Sequence, residues 1–261
     1  MLDTLINPVI ESFHAHSLAF FICAIASVVL VGISKSGFGA GLGVLSLPLM
    51  ASQAGLNEAL AILLPLLIAI DLVGIRRFLK NANWRILKLI LPAGFLGLLL
   101  GMIFFTIITP KALTLFVGIF IMLFLIQMLV TSHFDLREAK PYPWLGRLMG
   151  LMSGFTGFLA HNGGPPITIF MLREKLLPMA YASTLGIFFT FINFGKLGPY
   201  AYLDLLNFKQ LATSVILLPC VPVGVYLGFY LAEKISTKWY YRIVQFFLLA
   251  ASIKLITDGL I

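Results

Sequence analysis

Charge is what this 261-residue sequence has least of: 11% of its residues are Asp, Glu, Lys or Arg, where a soluble domain carries roughly 25%. Acidic residues number ten and cysteines two, so there are few carboxylates to bind a coupling cation. Cys23 and Cys220 each stand alone in an apolar run and read as small buried hydrophobes, not as ligands or a bridge. Residues 1–16 contain no Lys or Arg, and no small-residue cleavage pattern follows them. They do not read as a secretory signal peptide, and the first apolar segment is expected to be retained. These shortages exclude a globular cytosolic enzyme, a nucleic-acid binder and a secreted disulfide scaffold.

What is present is apolar: 60% of residues are hydrophobic, with a mean hydropathy of +1.03. Uncharged stretches cover 36–57, 89–109, 112–132, 176–195 and 210–232. Each is close to the ~20 residues that cross a ~30 Å hydrocarbon core. Unpaired strand edges cannot face lipid, and these runs are too long and unalternating for barrel strands, so the expectation is an all-α polytopic membrane protein. Ten segments are predicted, at 17–34, 38–55, 58–75, 89–109, 112–131, 147–161, 165–177, 180–200, 210–232 and 243–260. The second, sixth and seventh are short or flanked by glycine and read as half-helices. About 8–10 transmembrane or half-membrane helices are expected in all.

The formal charge of +8 is read first as topology. The densest basic cluster, Arg76, Arg77, Lys80, Arg85 and Lys88, is assigned to the cytoplasm by the positive-inside bias. If every segment crosses, Lys35, Arg137, Lys140, Arg147, Arg173, Lys175, Lys234, Lys238 and Arg242 join it, and only Lys111, Lys196, Lys209 and Lys254 lie outside or within segments. Both termini are then outside.

The two halves of the chain resemble each other. At a spacing of 117 residues, Ser36, Gly37, Phe38 and Pro48 fall on Ser153, Gly154, Phe155 and Pro165. At a spacing of 127, Pro92, Gly97, Gly101 and Lys111 fall on Pro219, Gly224, Gly228 and Lys238. A first repeat at 1–131, a cytoplasmic linker at 132–146 and a second repeat at 147–261 follow, within one integral membrane domain. With five segments in each, an odd number, the second repeat enters from the opposite side. Two inverted-topology repeats are a signature of secondary transporters, whose sites lie at the repeat interface.

Each repeat carries one polar, glycine-rich interruption. The first runs from Gly32 to Gly43 and contains Ser34, Lys35, Ser36, Gly37, Gly39 and Gly41. The second holds Ser153, Gly154, Thr156 and Gly157, then His161, Asn162, Gly163 and Gly164, with Pro165 and Pro166 opening a new helix. Free amides at such helix starts, with the positive end of the dipole, bind a small oxyanion. The hydroxyls of Ser34, Ser36, Ser153 and Thr156 and the amide of Asn162 are candidate donors. Glycines and serines at this spacing also serve as helix-packing surface, as Gly97, Gly101, Gly224 and Gly228 are expected to do. Lys35 either contacts substrate or snorkels to the interface. His161 reads as a loop histidine satisfied by backbone before a proton relay. Asp71 is either a coupling carboxylate or, in the favoured reading, an ion-pair partner of Arg76 or Arg77. Asn193 and Lys196 are candidate cavity-lining residues. His14 and His16 are spaced like metal ligands but lack acidic or cysteine partners, so solvated surface is preferred; no metal and no cofactor are expected.

The break from Lys35 to Gly41 leading to Pro48, paired with Ser153-Gly154-Phe155 and Gly163-Gly164-Pro165, resembles the sulfite exporter TauE/SafE family across essentially the whole chain. The resemblance implies a bacterial inner-membrane permease that moves small sulfur-containing oxyanions such as sulfite or organosulfonates, usually outward. Its implied partners are a small anionic substrate and the lipid bilayer, without nucleic acid; the oligomeric state is not implied. His161-Asn162 departs from the family pattern, which more often shows further glycines there. A membrane-embedded enzyme or carrier handling lipid phosphates is the alternative, but neither break holds an Asp or Glu for acid–base work. A passive anion channel would need continuous polar or basic rings, which the sequence does not show.

Overall fold

The computed structural model describes residues 16–38, 42–131, 142–234 and 237–261, and all its regular structure is helical. The order is α1 (Leu18–Ile33), a π-helical turn (Ser34–Phe38), a 3-10 turn (Leu42–Leu45), α2 (Ser46–Ala54), α3 (Leu56–Asn81), α4 (Trp84–Ile107) and α5 (Pro110–Thr131). There follow α6 (Pro143–Ala160), α7 (Gly164–Arg173), α8 (Pro178–Tyr202), α9 (Phe208–Leu217), α10 (Cys220–Lys234) and α11 (Thr237–Leu260). Gly39, Gly41, His14 and most of the linker lie outside the described residues.

Local chemistry sets the boundaries. Asn83 caps α4 by accepting from the amides of Arg85 and Ile86, so that helix starts before its apolar run and includes Arg85 and Lys88. Asn207 caps α9 in the same way, through Lys209 and Gln210. Pro219 cannot donate a backbone bond, and the run predicted at 210–232 bends by 50° there into α9 and α10. Pro178 opens α8 in its first turn.

Helix α3 is central: residues 59–64 are buried on every side, as in a helix that is apolar all round. It runs antiparallel to α8, with Phe78 against Gly186 and Asp71 bonded to Asn193. Helices α5 and α11 are also antiparallel, with Lys111 Nζ donating to the Ile261 carbonyl and Gly118 against Ile256. By contrast, α4 runs parallel to α6, and α10 parallel to α1. In both parallel pairs glycine lets backbones touch: Gly97 faces Leu151 and Gly101 faces Phe155, while Gly224 faces Val29 and Gly228 faces Ile33. Gly97, Gly101, Gly224 and Gly228 thus have the packing role expected of them.

Outward faces are apolar. Leu96, Leu99, Leu100 and Ile103 of α4 are exposed together, a patch that a water-soluble monomer rarely leaves bare. Among the described residues four helices meet the length and apolarity needed to cross a bilayer, Leu18–Ser36, Leu56–Arg76, Trp84–Ile107 and Pro110–Gln127, or five with the bent α9–α10 pair. The 8–10 expected include half-membrane helices, a length that suits α2 and α7, while α8 is long enough to cross but carries Asn193 and Lys196 in its span.

His16 is not the solvated residue expected. Its ring stacks on Phe20 at 4.0 Å and its Nε2 lies 3.6 Å from Glu58 Oε1. Burial pushes its pKa below the usual histidine range; the nearby Glu58 opposes this shift and Lys209 adds to it. The unfolded chain therefore binds the proton more readily, and stability is expected to fall as pH drops from about 7 toward 5, levelling off below the folded value. Thermal melting of the wild type and His16→Gln across that range checks this: the variant should have the flatter profile.

Candidate functional site

The two interruptions end α1 and α6. After α1 the chain passes through the π turn, which carries Ser34, Lys35, Ser36 and Gly37. Helix α6 runs unbroken through Ser153, Gly154, Thr156 and Gly157 and stops at His161, which adopts the left-handed conformation with φ 51° and donates its amide to Gly157. Pro165 and Pro166 in the first turn of α7 remove two of the amides that a helix start would offer an anion. Those left at this break belong to Asn162, Gly163 and Gly164.

Between the interruptions runs one chain of polar side chains. Lys35 Nζ donates to Asp71 Oδ1 at 2.6 Å, and Asn193 Nδ2 donates to Asp71 Oδ2 at 2.7 Å. Lys196 Nζ lies 3.1 Å from both Asn193 Oδ1 and His161 Nδ1. His161 Nε2 is 2.8 Å from the carbonyl oxygen of Leu60. The bonding assigns the tautomer: a ring that donates from Nε2 to a carbonyl accepts at Nδ1 from Lys196. Asp71, Asn193 and Lys196 are 1%, 3% and 2% exposed. Charges so deeply buried persist only when paired and hydrogen-bonded.

The central helix prepares one end of this chain. Pro65 deprives the Ala61 carbonyl of its helical donor and loosens that turn. The carbonyls on either side accept from other helices, Leu60 from His161 and Ile62 from Ser214 Oγ at 2.9 Å. Tyr200 closes the opposite side: its hydroxyl donates to the Phe158 carbonyl at 2.8 Å, and its ring lies 5.9 Å from that of His161.

The family model of the sulfite exporter TauE/SafE matches residues 24–255. The chain belongs to this family. It is accordingly an integral membrane transporter, not an enzyme, in a family that implies an anion substrate. No curated protein and no solved structure matches it.

In this TauE/SafE protein the structure brings together Lys35, Asp71, Asn193, Lys196 and His161, and it gives several candidates structural tasks. The Ser153 hydroxyl donates to the Gly163 carbonyl, and that of Thr156 to the carbonyls of Met152 and Asn162 at 2.8 and 3.1 Å. Their protons hold the α6–α7 break together, so they do not have the free donors expected of them. Gly154 is pressed against the Gly94 carbonyl on α4, and Gly157 lies behind Gly163. Ser34 is buried beside Gly43, and Ser36 packs against Gly228. Asp71 pairs with Lys35, in place of the expected Arg76 or Arg77, and Arg76 is exposed. Lys35 points inward to that carboxylate and does not snorkel.

One free donor stands out. Asn162 is 5% exposed, and its side-chain Nδ2 has no hydrogen-bond partner among the described residues. Tyr200 was missed in the sequence, although it continues the helical face of Asn193 and Lys196 at steps of three and four residues along α8. The carbonyl of Leu60 carries no sequence signal except the nearby Pro65.

Proposed function

We propose that this TauE/SafE protein is a secondary transporter that exports small sulfur-containing oxyanions, such as sulfite or short organosulfonates, across a bacterial inner membrane. The anion sits between the two interruptions, held by the ammonium groups of Lys35 and Lys196, the side-chain amide of Asn162, and the amides of Gly163 and Gly164. The observation that carries this reading is the buried chain from Lys35 to His161, which joins the end of α1 to the end of α6. Two lysines against one carboxylate leave an excess of positive charge that attracts an anion.

Transport proceeds by alternating access between two inverted repeats, 1–131 and 147–261, joined by a cytoplasmic linker at 132–146 with both termini outside. Supporting this are the pairings of the helices. The parallel pair α4–α6 and the parallel pair α10–α1 exchange under the correspondence of the repeats, whereas α3–α8 and α5–α11 pair antiparallel with their own counterparts. A two-fold axis in the membrane plane generates such a pattern.

Proteoliposome flux of sulfite and methanesulfonate tests the reading. Ser153→Ala removes the buried hydrogen bond from its hydroxyl to the Gly163 carbonyl, and it is expected to lower thermal stability by about 1 kcal/mol with a secondary loss of flux. Ser36→Ala is expected to change flux less than loss of either lysine. Equal and unchanged flux in Ser36→Ala, Ser153→Ala and both lysine variants would place the anion elsewhere.

A further inference from the structure

We propose that Asp71 carries a coupling proton: as the anion takes Lys35, the released carboxylate is protonated, so that one proton accompanies each monoanion. This rests on the transport reading above and adds its stoichiometry: the anion crosses together with a proton, in the direction that their two gradients set.

In the resting site both oxygens of Asp71 are engaged, one by the Lys35 ammonium and one by the Asn193 amide. An incoming anion competes with Asp71 for Lys35, whose side chain is the more accessible of the pair, 22% exposed against 2%. Two negative groups side by side in a buried site disfavour ionisation of one of them. The carboxylate binds H+ to become a carboxylic acid, Lys35 turns to the anion, and no bond of the substrate is made or broken. Release of the anion returns Lys35 to Asp71 and expels the proton. The loaded and empty sites carry the same net charge, so movement of either across the membrane meets the same electrostatic barrier.

The titratable groups around Asp71 come from three elements: Lys35 in the π turn, Lys196 on α8 and, behind it, His161 at the end of α6 with Tyr200 beyond. On α3 itself Arg76 is exposed, and α10 presents Gly228 to the π turn. His161 is the worse proton carrier. Its Nε2 is committed to the Leu60 carbonyl, and a proton on Nδ1 would point at the Lys196 ammonium. Asp71 is the one carboxylate in the chain of side chains, and it adjoins the lysine an anion would take.

Methanesulfonate is the suitable probe, since it is a permanent monoanion and cannot itself carry a proton. Wild-type proteoliposomes with a trapped pH indicator and a clamped voltage should acidify as methanesulfonate enters. A one-unit pH gradient should hold about a tenfold anion gradient at one proton per anion. In Asp71→Asn, proton movement and accumulation should vanish while methanesulfonate exchange persists at a reduced rate, and Asp71→Glu should restore part of both. Wild-type entry of methanesulfonate without acidification overturns the proposal, even if Asp71→Asn fails to fold. So does a tenfold accumulation retained in Asp71→Asn, or a well-folded Asp71→Asn that loses exchange as well, since Asp71 would then belong to anion binding. A wild type that exchanges neither methanesulfonate nor sulfite fails the transport reading and takes the coupling proposal with it.

Discussion

Replacing Lys196 with methionine is expected to lower anion flux by roughly 100-fold or more while the protein still folds. Methionine keeps the length and apolar stem of lysine and removes the charge. In the wild type, the Lys196 ammonium bridges Asn193 Oδ1 and His161 Nδ1 and has a third N–H to give to an anion. Removing one partner of a buried charged pair costs about 3–5 kcal/mol, and each 1.4 kcal/mol is about a factor of ten in binding. Because the bound anion is that partner, most of the loss falls on the loaded state. Flux at several methanesulfonate concentrations, with size-exclusion profiles as a check of folding, measures it. A Lys196→Met variant with wild-type KM and rate would show that the ammonium faces no substrate.

The second large effect is on stability. Gly154→Val should prevent α4 and α6 from docking, because a Cβ at Gly154 falls within the van der Waals envelope of the Gly94 carbonyl. The opposing group is backbone, so no side chain can turn aside, and the penalty lies at or above the upper end of the ~1–3 kcal/mol typical of overpacking. Gly97→Val meets the Leu151 carbonyl from the other helix and should behave alike. Gly157→Ala is the control: its new methyl group would find its nearest neighbour at 3.7 Å, an ordinary contact, and should leave the melting temperature nearly unchanged. Melting curves of the purified variants in detergent decide this. Stable Gly154→Val protein would mean that α4 and α6 are farther apart than described.

Helix positions were legible wherever apolar runs met proline or glycine, as at Pro110, Pro178 and the start of α7. Arg85 and Lys88 hid the start of α4, since a charged first turn breaks the hydrophobic run while Asn83 supplies the cap. The two interruptions were legible from Gly and Pro, but the fate of their hydroxyls was not. Whether Ser153 is free depends on the Gly163 carbonyl folding back over it, which no spacing reveals. Likewise Lys35, Asp71 and Asn193 could be named singly as polar groups that hydrocarbon would penalise. Their meeting joins the π turn after α1 to α3 and α8, helices from both halves, and depends on tertiary packing.

The central claim is that the ends of α1 and α6 share one anion. Cysteines placed at Ser36 and at Asn162, in a protein with Cys23 and Cys220 replaced by alanine, can be labelled from either side of the membrane with a charged thiosulfonate. Methanesulfonate serves as protectant, because sulfite would itself cleave the mixed disulfide. The account predicts that methanesulfonate slows labelling at both positions, in each variant with a half-saturating concentration that matches that variant's own KM for transport. Protection at only one position, or at neither while transport is saturated, would contradict it.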